Sequence, residues 1–179
     1  MKKVKAVLEK LAKEQRQFER ALGRKEPKVH AVKFRQQQGK ALDTLRDQAK
    51  TDQALTDKDR QEAFNLIRSF RREVEKKGVN PDLEVRATVN HFESRMAKWQ
   101  KQLEKEQATV PQGDRHKEGV SQKTVEMGEA INRDVQRFLR QDLKEQQIPV
   151  EVKKSVYERL RKPVREMMRV QERAVGRGR

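Results

Sequence analysis

Six apolar residues, Val85, Val89, Phe92, Met96, Trp99 and Leu103, recur at steps of 4-3-4-3-4. A strand alternates faces every second residue, so this spacing would scatter them over both sides of a sheet. On a helix of about 3.6 residues per turn it draws one apolar stripe. The stripe follows Asn80-Pro81, a capping residue and a proline suited to a first helical position. It also holds the only tryptophan of the chain, which places this helix at the centre of the main core.

The same spacing recurs in Val4, Leu8, Leu11, Gln15, Phe18 and Leu22, with one polar position, and predicts a helix over about 2–22 that stops at Gly23. Pro27 then suits the first turn of a second helix, about 27–50, carrying Val29, Val32, Leu42, Leu45 and Ala49. Its stripe weakens around Gln36 and Gly39. Thr56 is a natural cap for a third helix, where Asp57 and Asp59 complement the positive end of the helix dipole. Ala63, Ile67, Phe70 and Val74 make its seam, and Gly78 closes it after Lys76 and Lys77. Ser121 caps a fifth helix to about Gln146, with Val125, Ile131, Val135, Phe138 and Leu139 inward. Pro149 begins a sixth, reaching about Arg173 on Val156, Leu160, Val164 and Met168. Pro163 falls inside it, removing a hydrogen bond and crowding the preceding turn at a cost of ~3 kcal/mol, so a kink or break is expected there.

The reading is therefore all-α: about six helices in an elongated bundle with coiled-coil-like antiparallel packing. Residues 1–110 are expected as an N-terminal bundle of about four helices, 111–120 as a Pro/Gly-rich linker, and 121–179 as a helical hairpin with a basic tail whose "GRGR" end frays. Composition agrees. Only 33% of residues are apolar and 40% are charged, a poor supply for a single compact globule. Ala, Glu, Lys, Leu and Arg make up about half of the chain, which with heptad periodicity favours long helices over disorder.

Several classes of chemistry lack their residues. Cysteine is absent, which removes disulfides, thiol catalysis and thiolate metal sites and accords with a cytoplasmic or intravirion setting, neither secreted nor transmembrane. No apolar run approaches the ~20 residues of a membrane span. Glu9 and Lys10 interrupt the N-terminal apolar run before it reaches signal-peptide length. His30, His91 and His116 have no metal-ligand spacing, so no metal or other cofactor is expected. Asp57 and Asp59 resemble the opening of a calcium loop, but the obligatory glycine is missing. No nucleophile elbow or phosphate-binding glycine loop occurs, and a non-enzymatic protein is expected.

Charge carries the functional reading. The net charge is +16, distributed as +9 over residues 1–50, +1 over 51–110 and +6 over 111–179. Cationic ends favour polyanions. Arg161, Arg165, Arg169, Arg173 and Arg177 recur at every fourth residue. Each step rises about 6 Å and turns about 40° past a full revolution, so the five form one winding row. Guanidinium groups match phosphate with a planar fork of donors. Lys153, Lys154 and Arg179 extend the basic run, and Lys13, Arg16 and Arg20 make a second basic face on the first helix. Glu158 and Glu166 can pair with Lys162 or Arg169, which would make part of the row an ordinary solvated face. Most rings fall on buried seams and Tyr157 is the expected free one, so recognition should be led by the backbone, with little sequence preference.

The expected function is a non-catalytic helical protein binding nucleic acid or another polyanion, DNA or RNA. The alternative is a structural or assembly component, of virion or scaffold type, whose heptad seams recruit other chains or a second copy. Membrane-surface binding by the first helix is a third possibility, weakened by its interleaved glutamates.

Overall fold

The computed structural model describes residues 1–109 and 120–176. Among them the chain forms six helices and no strand: α1 (Lys2–Leu22), α2 (Ala31–Thr51), α3 (Asp57–Lys77), α4 (Pro81–Ala108), α5 (Gln122–Arg137) and α6 (Val150–Gly176). α5 continues through a π-helical turn, Phe138–Asp142, into a short tail, Leu143–Glu145. The all-α class is thus the observed one. No described helix is long and apolar enough to cross a membrane.

Local capping starts three of these helices where the sequence places them. The Thr56 hydroxyl accepts the Asp59 backbone N–H at 3.1 Å, and the Asp59 carboxylate accepts the Thr56 N–H at 3.3 Å, a reciprocal capping box. Asn80 accepts from the Leu83 N–H and Ser121 from the Thr124 N–H. α2 departs from expectation. Pro27 lies in the connection, and the helix begins at Ala31, where His30 Nδ1 accepts the Lys33 N–H at 3.3 Å. α6 likewise begins at Val150, with Pro149 just before it. Gly23 keeps a right-handed backbone (φ −73°), whereas Gly78 ends α3 with φ 73°, a conformation that side-chain-bearing residues rarely adopt.

The chain divides into two compact units, Met1–Ala87 and Thr88–Arg179. The boundary lies within α4, whereas the sequence reading kept all of that helix with the first three. Residues 111–119 of the expected linker lie outside the described residues.

In the first unit Val4, Leu11 and Phe18 of α1 are buried, as are Leu42, Leu45 and Ala49 of α2 and Ala63 and Ile67 of α3. Phe70 and Val74 are only half-buried. The two polar lapses in the stripes meet: Gln38 of α2 donates to Gln15 of α1 at 2.8 Å, and both are buried. Phe18 and Phe34 stack with centroids 4.1 Å apart, and the Arg35 guanidinium lies 4.9 Å from the Phe18 ring centre. Arg35 also donates to buried Glu84 at 2.8 Å, so a charge that would be costly alone is paired.

In the second unit the α4 stripe supplies Val89, Phe92, Trp99 and Leu103, all almost fully buried, with Met96 half-buried. α5 packs chiefly against α6. Trp99 Nε1 donates to the Thr124 carbonyl and to Gln171 Oε1, each at 3.2 Å, so a large ring is buried with its polar edge satisfied. Gly128 permits this approach: a Cβ there would stand 2.2 Å from Gln171 Oε1 and 2.9 Å from Trp99 Nε1. The π-helical turn keeps Phe138, Leu139, Asp142 and Leu143 all inward.

Of the kink or break expected at Pro163, a break does not occur: α6 runs unbroken through it. Pro163 is exposed while Leu160, Val164 and Met167 on the inner side are buried. Those three anchors, at roughly 1.5–3 kcal/mol each, offset the lost backbone bond. The inner row also shifts register: Met167 is buried and Met168 half-buried, because Gln171 must follow one turn later to reach Trp99.

Candidate nucleic-acid interface

The inner row of α6, Val156, Leu160, Val164 and Met167, fixes which way the rest of the helix faces. Arg165, Arg169 and Arg173 stand exposed on the other side, and Arg161, beside Leu160, is half-buried. Arg165 and Arg173 make no ion pair among the described residues. Arg169 lies 3.8 Å from Glu166, with both side chains more than half exposed. An exposed pair at that separation contributes roughly 0–1 kcal/mol and is readily exchanged for another anion. Arg177 and Arg179 lie outside the described residues.

One basic residue near this row is occupied. Arg159 donates to Glu93 through Nε at 2.6 Å and through a terminal nitrogen at 2.9 Å, a two-point pair that ties α6 to α4. Lys153 is also committed: its Nζ donates to the Lys144 carbonyl at 2.8 Å, at the end of the α5 tail. A carbonyl at a helix C-terminus attracts a cation. Lys154 is exposed.

The outer face of α6 is open from Tyr157 to Arg169. Arg161, Lys162, Arg165 and Arg169 line it with Tyr157 and Pro163, against two acids, Glu158 and Glu166. Tyr157 stands four residues before Arg161, so it begins the same row. The Arg161 guanidinium lies 5.2 Å from the centre of its ring. The sequence pointed to Tyr157 as a free ring but left it out of the site, although extending the four-residue spacing one step back would have included it.

On α1, Lys13, Arg16 and Arg20 are all exposed and make no ion pair among the described residues. The neighbouring acid Glu19 is engaged elsewhere. A hydrogen bond from Lys77 at 2.8 Å and one from Gln15 at 2.9 Å hold its carboxyl below the usual range. The basic faces of α1 and α6 belong to different units.

Among the described residues no group of three or more histidines and carboxylates is placed to hold a metal ion. Comparison with models of protein families, with curated proteins and with solved structures finds no match to this chain.

Proposed function

We propose that this chain is a non-catalytic, helical, polyanion-binding protein that grips the phosphate backbone of a nucleic acid along α6. The observation that carries this reading is the exposed row Arg165, Arg169 and Arg173, backed by a buried apolar row, with Glu166 only loosely paired to Arg169 and Glu172 exposed beside Arg173 without an ion pair among the described residues. Rigid presentation of guanidinium groups lowers the entropy lost when they meet phosphate. Lys13, Arg16 and Arg20 supply a second cationic face of the same kind. Such binding is electrostatic, largely indifferent to base sequence, and suited to a compartment that holds nucleic acid, such as the cytoplasm or a virion interior. The assembly reading has less support, because the heptad residues of α1 and α4 are largely buried within the chain.

A salt titration of nucleic-acid binding tests this. Affinity should fall steeply with salt, and alanine at Arg165, Arg169 and Arg173 together should flatten the slope by up to about 3. Arg159→Ala is the control, since that cation is already committed to Glu93 and should leave the slope unchanged. Absent or salt-independent binding would remove the proposal.

A further inference from the structure

Of the eight aromatic side chains, six phenylalanines, one tryptophan and one tyrosine, only Tyr157 is exposed, at 38%. Phe18, Phe92, Trp99 and Phe138 are buried, and the remaining three are half-buried, Phe34 by stacking on Phe18. The tyrosine ring is the exception. It stands on the arginine row, beneath the Arg161 guanidinium.

We propose, building on the polyanion reading above, that Tyr157 and Arg161 form a stacking platform for an unpaired base, so that α6 takes a single strand in preference to a duplex. Two side chains of the same face point there. A ring and a guanidinium plane are both surfaces on which any base can stack, whereas the paired bases of a duplex offer no free face. A single strand can lie along Arg165 and Arg169, which follow at about 6 Å of rise per step, while one base turns onto Tyr157. Because stacking is tolerant of base identity, this adds a preference for strandedness without adding one for sequence.

The test uses the full chain, a fluorescently labelled oligothymidylate, a duplex of equal length and inorganic polyphosphate, all at low salt. The expected result is tightest binding to the single strand. Tyr157→Ala should weaken that binding by about 5- to 100-fold while leaving the duplex and polyphosphate affinities unchanged. Tyr157→Phe, which keeps the ring, should bind like the original. Equal losses on all three probes, no loss on any, or a duplex bound more tightly than the single strand would overturn the stacking platform while leaving the polyanion reading standing. Failure of the unsubstituted protein to bind any of the three would overturn both.

Discussion

Gln38 on α2 donates a hydrogen bond to Gln15 on α1 at 2.8 Å, and Gln15 in turn donates to Glu19 at 2.9 Å. Each glutamine interrupts an otherwise apolar stripe, and each satisfies the other. Removing one amide strands its partner, whereas removing both costs only the Gln15 donor to Glu19, which keeps Lys77. Gln15→Leu or Gln38→Leu alone should cost about 1–3 kcal/mol, and the double substitution should recover most of the loss. Calorimetric unfolding of the three variants checks this. Additive losses would mean the amide pair is not the cause.

Glu106 should make the second unit sensitive to acid. Burial pushes its carboxyl up, but hydrogen bonds outweigh this and hold it at about 2 against an ordinary 4.5: from the Ser121 hydroxyl, Gln102, the Thr124 hydroxyl and the Ser121 backbone. The Ser121 hydroxyl donates at 2.6 Å and Thr124 at 2.7 Å, fastening the end of α4 to the start of α5. A carboxyl with a lowered folded-state value contributes stability that is fully present above its unfolded value and lost as pH falls through the folded one. Stability should therefore decline as the solution is acidified from about 4.5 to about 2. Glu106→Gln should be less stable at neutral pH and show a flatter decline across that interval. Equal pH profiles would remove the carboxylate from this role.

Gly128 should tolerate no side chain without repacking. The added methyl of Gly128→Ala would meet Gln171 Oε1 at 2.2 Å and force it away from the Trp99 indole. Overpacking of this kind costs typically about 1–3 kcal/mol. Pairing the substitution with Gln171→Ala, which opens the space, should restore part of the loss, and denaturant titration reads both variants.

Pro163 should be a local defect that packing overrides. It lies inside α6 on the exposed side, so alanine there restores a backbone donor without disturbing a buried neighbour. Pro163→Ala is expected to stabilise the protein by up to about 3 kcal/mol. Loss of stability would mean that the bonded chain needs the proline's geometry.

The features legible in the sequence are those decided within a few residues. Thr56, Asn80 and Ser121 cap because each side chain reaches a backbone N–H three positions on, and the heptad stripes of α1 and α4 mark their buried faces by period alone. The arginine row was legible for the same reason, since a four-residue spacing is a helical face. What escaped depends on partners distant in the chain. Met167 rather than Met168 turns inward because Gln171 is drawn to Trp99, Arg159 and Lys153 are occupied by groups no local pattern identifies, and α2 begins at Ala31 because His30 rather than Pro27 meets its first turn. Pro163 leaves α6 unbroken: its local penalty is plain in sequence, while the anchors that offset it are tertiary.

The placement of Trp99 makes the molecule its own spectroscopic probe. Its indole and the Tyr157 phenol both belong to Thr88–Arg179, so Met1–Ala87 is silent to ultraviolet excitation beyond the phenylalanine bands. A red shift of emission on denaturation reports the melting of one half of the protein alone, while circular dichroism registers both. Any gap between the two curves would measure how independently the halves come apart.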